Sequence, residues 1–150
     1  MTWYPYLKFE RFRPSVVKID NHCALNVYPK NVLSEELHVI GEKSTAFCYQ
    51  SQESLAYVRS LQGKVFCLGP ILGSTVRANV DSLISIKECT APATTVWSRI
   101  SSHVALEKCH HANISCGSDS SIDGSADSWT IQTVEGDAKV NFQKREDKST

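Results

Sequence analysis

The stretch KCHHANISC, residues 108–116, places two cysteines and two histidines within nine residues. Thiolate and imidazole are common zinc ligands, so Cys109, His110, His111 and Cys116 form a candidate metal set. The same stretch contains a glycosylation sequon at Asn113. A third interpretation takes it as the polar end of a helix whose histidines are solvated. The spacing C-H-H-x4-C is not a common zinc pattern, and the chain contains no CxxC.

The interpretation of this stretch depends on where a predicted helix ends. A helix over residues 96–111 would place His103 and His111 on one face, with a glutamate between them. That face could bind zinc or hold a histidine–glutamate pair for acid–base chemistry. The same helix points Cys109 about 160° away from His111. If the helix ends near residue 108 instead, Cys109, Cys116 and one of the two histidines can converge, and His22 or Cys23 can supply a fourth ligand.

The N-terminal segment WYPYLKFERFR interleaves aromatic and basic side chains. A strand of this composition can stack nucleobases on aromatic rings and hold phosphates with its cations. An ordinary edge strand, guarded by a lysine, is the alternative. The candidate nucleic-acid contacts are Trp3, Tyr6, Lys8, Arg11, Phe12 and Arg13.

Charge and hydropathy limit the partners of the whole chain. The 16 basic and 16 acidic residues cancel, so any nucleic-acid site must be a local patch. No apolar run reaches the roughly 18–20 residues of a membrane-spanning helix, and no membrane partner is expected. The basic start contrasts with residues 117–137, which contain acidic residues and no base.

Cysteine usage predicts a compartment. The first residues lack the apolar region of a secretory signal, and most of the six cysteines lie among apolar neighbours. Buried thiols that act as small hydrophobic side chains are typical of a reducing environment. We therefore expect an intracellular protein, cytoplasmic or nuclear, in which Asn113 carries no glycan.

Alternating apolar residues predict several short strands, whereas two segments show helical spacing. The strands include SVVKI, CALNVY, ELHVI, STAFCYQ, KVFCL, TVRANV and SLISIKEC. Helices are predicted at residues 51–62 and 94–110, the first with a serine cap and a terminal glycine. WTIQTV and AKVNFQK read as a C-terminal hairpin, and no internal repeat is evident.

These elements predict a single α+β domain, built on an antiparallel sheet or small barrel with about two helices. Residues 1–116 would form the globular core, and 117–128 a flexible polar segment. The hairpin at 129–144 would pack on the core, and 145–150 would be a frayed tail.

The sequence indicates a binding protein rather than an enzyme. It has no GxSxG, HExxH or GxGxxG motif, and the loop GPILGST lacks the lysine of a phosphate loop. The function predicted first is RNA or single-stranded nucleic-acid binding through the N-terminal arm. The alternatives are an adaptor that binds a protein partner through a sheet edge or the acidic segment, and a domain supported by zinc.

Overall fold

The computed structural model describes residues 16–20, 22–28, 33 and 35–145, and every regular element among them is a β-strand. The prediction of an α+β domain is therefore wrong. The strands are Val16–Asp20 (β1), Ala24–Val27 (β2), Glu36–Ile40 (β3), Thr45–Cys48 (β4), Tyr57–Leu61 (β5), Lys64–Ile71 (β6), Thr75–Asn79 (β7), Leu83–Cys89 (β8), Thr94–Arg99 (β9), His103–Cys116 (β10), Ser121–Val134 (β11) and Lys139–Lys144 (β12).

The chain winds into a parallel β-solenoid of about 6 turns. Up to β9, each strand pairs in parallel with the strand two places along the chain, so β1 pairs with β3 and β2 with β4. We call the surface formed by β1, β3, β5, β7 and β9 the odd face, and that formed by β2, β4, β6 and β8 the even face. The predicted antiparallel sheet is wrong because successive strands lie on opposite faces.

Two long strands contribute to both faces. The first part of β10 pairs with β8 on the even face, and its last part, residues 112–116, pairs with β9 on the odd face. β11 repeats this path one turn later, and β12 pairs with its first half on the even face. A β-strand can bend in this way at a bulge without losing its pairing on either side.

The core lies between the two faces and is built from inward rows of apolar side chains. Strands alternate buried and exposed residues, as the period of two in a strand requires. In-register pairing then stacks like residues from turn to turn, and nearly all are fully buried. One row contains Val17, Leu37, Val58, Val76, Val96 and Ile114, and the facing row contains Leu25, Ala46, Val65, Ile84, Val104 and Ile122.

One corner between the faces depends on serine. Ser82, Ser102 and Ser120 are buried there, immediately before the even-face strands. The Ser82 N–H donates to the Ser102 hydroxyl at 3.2 Å, and the Ser102 N–H donates to the Ser120 hydroxyl at 3.3 Å. The preceding residues, Asp81 and Asp119 among them, have positive φ. Each left-handed residue costs about 1–2 kcal/mol, which these hydrogen bonds help to offset.

The two predicted helices are strands and turns. In 94–110, Val96 and Val104 are buried in β9 and β10, whereas Ile100 lies in the turn between them and is 58% exposed. Two strands of period two, separated by a short turn, thus produced an apparent spacing of four. In 51–62, a turn precedes β5, where Val58 and Ser60 face inward. The apolar residues of both segments therefore face the core from strands and turns and not from one face of a helix.

The predicted C-terminal hairpin is also wrong. WTIQTV belongs to β11 and AKVNFQK to β12, but their pairing is parallel and joins β12 to the first half of β11. That first half is the segment expected to be flexible, and it lies between β10 and β12. Its polar residues face outward, and Ile122 and Ala126 fill the core.

A bulge in β10 explains one glycine. Lys108 has φ of 55° and adds one residue to β10 opposite β11, between the pairs Leu106–Gly124 and Cys109–Ala126. A Cβ placed on Gly124 would overlap the Leu106 carbonyl oxygen. The side chain of residue 124 must therefore be hydrogen for the two strands to approach at the bulge.

Substituting Gly124→Ala should destabilise the protein by at least about 1–3 kcal/mol, because backbone must move to admit the methyl group. Gly117→Ala is the matched control, since its Cβ would meet Arg99 atoms at 3.5 Å, an ordinary contact. The measurement is chemical denaturation of both variants. Equal stability of the two would contradict the role assigned to Gly124.

Candidate functional site

The structure separates the cysteines and histidines of KCHHANISC. Cys109 and Cys116 are buried in the core, Cys109 between the two parts of β10 and Cys116 at the end of the odd-face part. His110 and His111 lie on the surface between them. The alternation is interrupted where β10 passes from one face to the other, so both imidazoles lie outside while the thiols lie inside. Among the described residues, no group of three or more potential ligands is placed to hold a metal ion, and the zinc site stays a prediction.

The histidines of β10 contact β11 on the next turn. His110 Nδ1 lies 3.4 Å from the Asp127 carboxylate. His111 Nδ1 lies 2.7 Å from the Ser128 hydroxyl, and Thr130 Oγ1 is 3.3 Å from His111 Nε2. These exposed contacts join neighbouring turns, and each contributes at most about 1 kcal/mol.

His103, Ser121 and Asp123 form a serine–histidine–aspartate group on the even face. His103 Nδ1 lies 2.5 Å from the Ser121 hydroxyl, and Nε2 lies 3.5 Å from the Asp123 carboxylate. A hydrolytic site also needs N–H donors aimed at the developing oxyanion. The Ser121 N–H instead donates to the Ser102 carbonyl at 3.0 Å. We therefore interpret this group as surface pairing between two turns.

The six predicted nucleic-acid contacts, from Trp3 to Arg13, lie outside the described residues. Directly after them in the chain, the odd face presents a row of basic side chains that sequence reasoning missed. Lys18, His38, Arg59 and Arg77 occupy one outward position on β1, β3, β5 and β7. We call these four residues the basic column. Parallel strands lie about 4.8 Å apart, so the column extends over about 14 Å.

Little negative charge opposes the basic column. His38 Nε2 contacts the Glu36 carboxylate at 3.0 Å. Within the described residues, Lys18 and Arg59 form no ion pair. Arg77 continues the column onto Trp97 of β9, with its guanidinium carbon 4.5 Å from the indole centroid. Arg77 Nε is buried without a hydrogen-bond partner, so the cation–π contact is the interaction that orients this side chain.

The sequence does contain a signal for this column. Residues 18, 38, 59, 77 and 97 are separated by 20, 21, 18 and 20 positions. A search for basic residues that recur once per turn of the solenoid would have found the first four, but the irregular spacing conceals the number of residues in a turn. In the structure these residues are nevertheless in register on neighbouring strands, because the differences in length lie in the turns between the strands.

Two pairs of buried thiols lie inside the solenoid. Cys48 and Cys67 are in register on β4 and β6. A hydrogen bond with Cys48, together with burial, raises the pKa of the Cys67 thiol. A hydrogen bond with Cys89, together with burial, raises the pKa of the Cys109 thiol. Cys48, Cys67, Cys89, Cys109 and Cys116 are buried and form no disulfide, and neutral buried thiols are poor nucleophiles and metal ligands.

Comparisons with known proteins found no match: no family model matches the chain, and no significant similarity was found to curated proteins or to solved structures. Across the described residues, there is no helix long and apolar enough to cross a membrane.

The buried thiols predict alkaline destabilisation. Above about pH 8.5 an unfolded thiol loses its proton, whereas Cys67 and Cys109 keep theirs in the folded state. Unfolding then releases protons, so the free energy of unfolding falls as the pH rises, by about 1.4 kcal/mol per pH unit for each thiol.

The test measures urea denaturation from pH 7 to about 9.5. The double variant Cys67→Ala/Cys109→Ala has lower stability at pH 7 but a flatter decline above pH 8.5. Parallel declines in the variant and the wild type would contradict this assignment.

Proposed function

We propose that this chain is a non-catalytic binding protein whose odd face holds an extended polyanion, foremost single-stranded nucleic acid. The observation that carries the proposal is the basic column, Lys18, His38, Arg59 and Arg77, in register along the solenoid axis. A row of cations at regular intervals suits a ligand whose anionic groups also recur along a line. A phosphate backbone is such a ligand.

The energetics of the column support a binding role. Like charges directly opposite on neighbouring strands destabilise a sheet, by a few tenths of a kcal/mol to about 1 kcal/mol for each pair. Arg59 and Arg77 are such a pair, and among the described residues the Trp97 ring beside Arg77 is the group that relieves their repulsion. A bound polyanion would relieve it throughout and release counterions.

The N-terminal arm extends the same proposal. Arg13 precedes Lys18, the first member of the column, by only five positions. The arm residues, which immediately precede the first strand of the odd face in the sequence, are Trp3, Tyr6, Lys8, Arg11, Phe12 and Arg13. We propose that arm and column bind one strand, with rings stacking on bases and cations contacting phosphates. Five buried cysteines that form no disulfide support an intracellular, reducing location, cytoplasmic or nuclear.

A second candidate function is capture of a protein partner by the second half of β11. Residues 128–134 of β11 pair with β10 and have no strand partner on their other side among the described residues. Ile131 continues the buried row of Ile114 but is 49% exposed, and Val134 is 46% exposed. This segment contains no charged residue, unlike β12, which has lysine at both ends. Unguarded edges of this kind accept an added strand.

Flanking charges indicate the chemistry of that partner. Asp127 precedes the uncharged segment, and Glu135 and Asp137 follow it. A second copy paired antiparallel would place Asp127 opposite Glu135 at both ends. An extended partner segment with basic residues at its ends avoids this repulsion and is the occupant we propose.

The basic column predicts a specific salt dependence. The double variant Arg59→Gln/Arg77→Gln should bind an oligothymidine about 100-fold more weakly at low salt, because two charged hydrogen bonds of about 1.5 kcal/mol each are lost. The slope of log affinity against log salt should fall by about 1.4, or 0.7 for each phosphate contact in a single strand. Fluorescence anisotropy with a labelled oligonucleotide measures both quantities.

The matched control is Lys64→Gln/Lys139→Gln, which removes two exposed cations from the even face and should leave affinity nearly unchanged. Arg11→Gln/Arg13→Gln measures the contribution of the arm. If the column variant and the even-face control lost the same affinity, the loss would come from the change in net charge and not from the basic column. Absence of binding by the wild type at low salt would refute the proposed function.

The edge-strand candidate is tested with a synthetic peptide of seven β-branched, uncharged residues flanked by lysines. It should bind the wild type, and Ile131→Lys should remove binding by placing a cation on the edge. Ile100→Lys is the control, since Ile100 is similarly exposed but lies in a turn. Tighter binding of the same peptide flanked by glutamates would contradict the inferred partner.

A further inference from the structure

A cavity of about 300 Å³ lies where the basic column ends. Its lining includes Trp97 and Arg99 of β9, Ser115 of β10, and Gln132 and Glu135 at the end of β11. It therefore opens on the odd face, next to the residues proposed to hold phosphates. An aromatic ring, a cation and two polar groups surround a space of the size that small ligands occupy.

The cavity exists because small residues follow a large one along the solenoid. Trp97, Ser115 and Thr133 occupy one outward position on successive turns. Arg77 covers the indole face on the side of β7. The opposite face is directed toward Ser115, whose short side chain cannot fill the interval of about 4.8 Å to the next strand. Gly117, which also lines the cavity, adds no side chain.

We propose that this cavity is a base-stacking subsite for single-stranded nucleic acid, and this inference rests on the proposed function. A flat ring stacks at about 3.5 Å, so a nucleobase fits over the free Trp97 face, above Ser115 and short of Thr133. The Trp97 ring would then lie between the Arg77 guanidinium on one face and the nucleobase on the other. Because every base has a π-face, such a subsite accepts any sequence.

The polar lining separates base from phosphate. Glu135 repels phosphate groups and can accept a hydrogen bond from a base N–H, as carboxylates do when they contact cytosine. Gln132 can donate and accept at the same edge. Arg99 is exposed and occupies the neighbouring outward position on β9. It can hold the phosphate that follows the inserted base. The phosphates before that base lie along Lys18, His38, Arg59 and Arg77.

The decisive comparison uses an oligothymidine of about 12 nucleotides and an abasic oligomer with the same phosphates. The wild type should bind the oligothymidine about tenfold more tightly. Ser115→Leu fills the cavity and should lower this ratio several-fold, leaving the part that the rings of the N-terminal arm contribute, with little change in affinity for the abasic oligomer. Ser85→Leu is the matched control, because Ser85 occupies an outward position on the even face.

Fluorescence gives a readout that a merely structural role would not change. In a Trp3→Phe/Trp129→Phe background, Trp97 is the single tryptophan of the chain. Its emission should be quenched by the oligothymidine and not by the abasic oligomer. Thermal unfolding verifies that Ser115→Leu folds. If it does not, the smaller Ser115→Val replaces it in the same comparison.

The outcomes separate the subsite from the proposed function. Equal affinity of the wild type for both oligomers would overturn the subsite and leave the basic column intact. Equal weakening of both oligomers by Ser115→Leu would also overturn it, since residue 115 would then act on phosphate binding. No binding of either oligomer would overturn the proposed function together with this inference.

Discussion

Parallel, in-register stacking of successive turns is the constraint on which the rest of this structure depends. Each turn hydrogen-bonds only to its neighbours along the axis, and no turn can bury its apolar row alone. Leu37, Val58 and Val76 are fully buried because the same position recurs above and below each of them. The same rule that stacks core residues also stacks surface residues. Any outward residue type that recurs once per turn becomes a column.

Much of the local structure could be predicted from the sequence, whereas the pairing of the strands could not. TVRANV and SLISIKEC were read as strands and correspond to β7 and β8. Alternation specifies which side chains face inward, but it is the same for an antiparallel hairpin and for stacked parallel turns. The turn length varies between 18 and 21 residues along the basic column, so the repeat leaves no fixed period. Apparent helical spacing at Val96, Ile100 and Val104 arose from strands interrupted by a turn.

The candidate site was hidden for a related reason. KCHHANISC suggests a metal site because its potential ligands are close in sequence, yet a strand directs neighbouring residues to opposite sides. Cys109 became core and His110 became surface. Conversely, Arg59 and Arg77 are 18 positions apart and are neighbours in space. In a solenoid, chemical groups assemble across turns, so a motif search over short windows finds the wrong sets.

Neutral overall charge conceals a strong separation of charge in this fold. The basic column lies on the odd face of the first four turns, whereas Asp119, Asp123, Asp127, Glu135 and Asp137 belong to the last turns. Screening limits the reach of each group to about 8 Å at physiological ionic strength. A polyanion near Arg59 therefore experiences the column and little of the acidic end. Glu135 and the indole of Trp97 line the same cavity. Repulsion of a phosphate group and stacking of an aromatic ring would therefore act at one place. Under the proposed function, the register of the strands determines where along the axis a charged chain would be held and where its uncharged parts would enter.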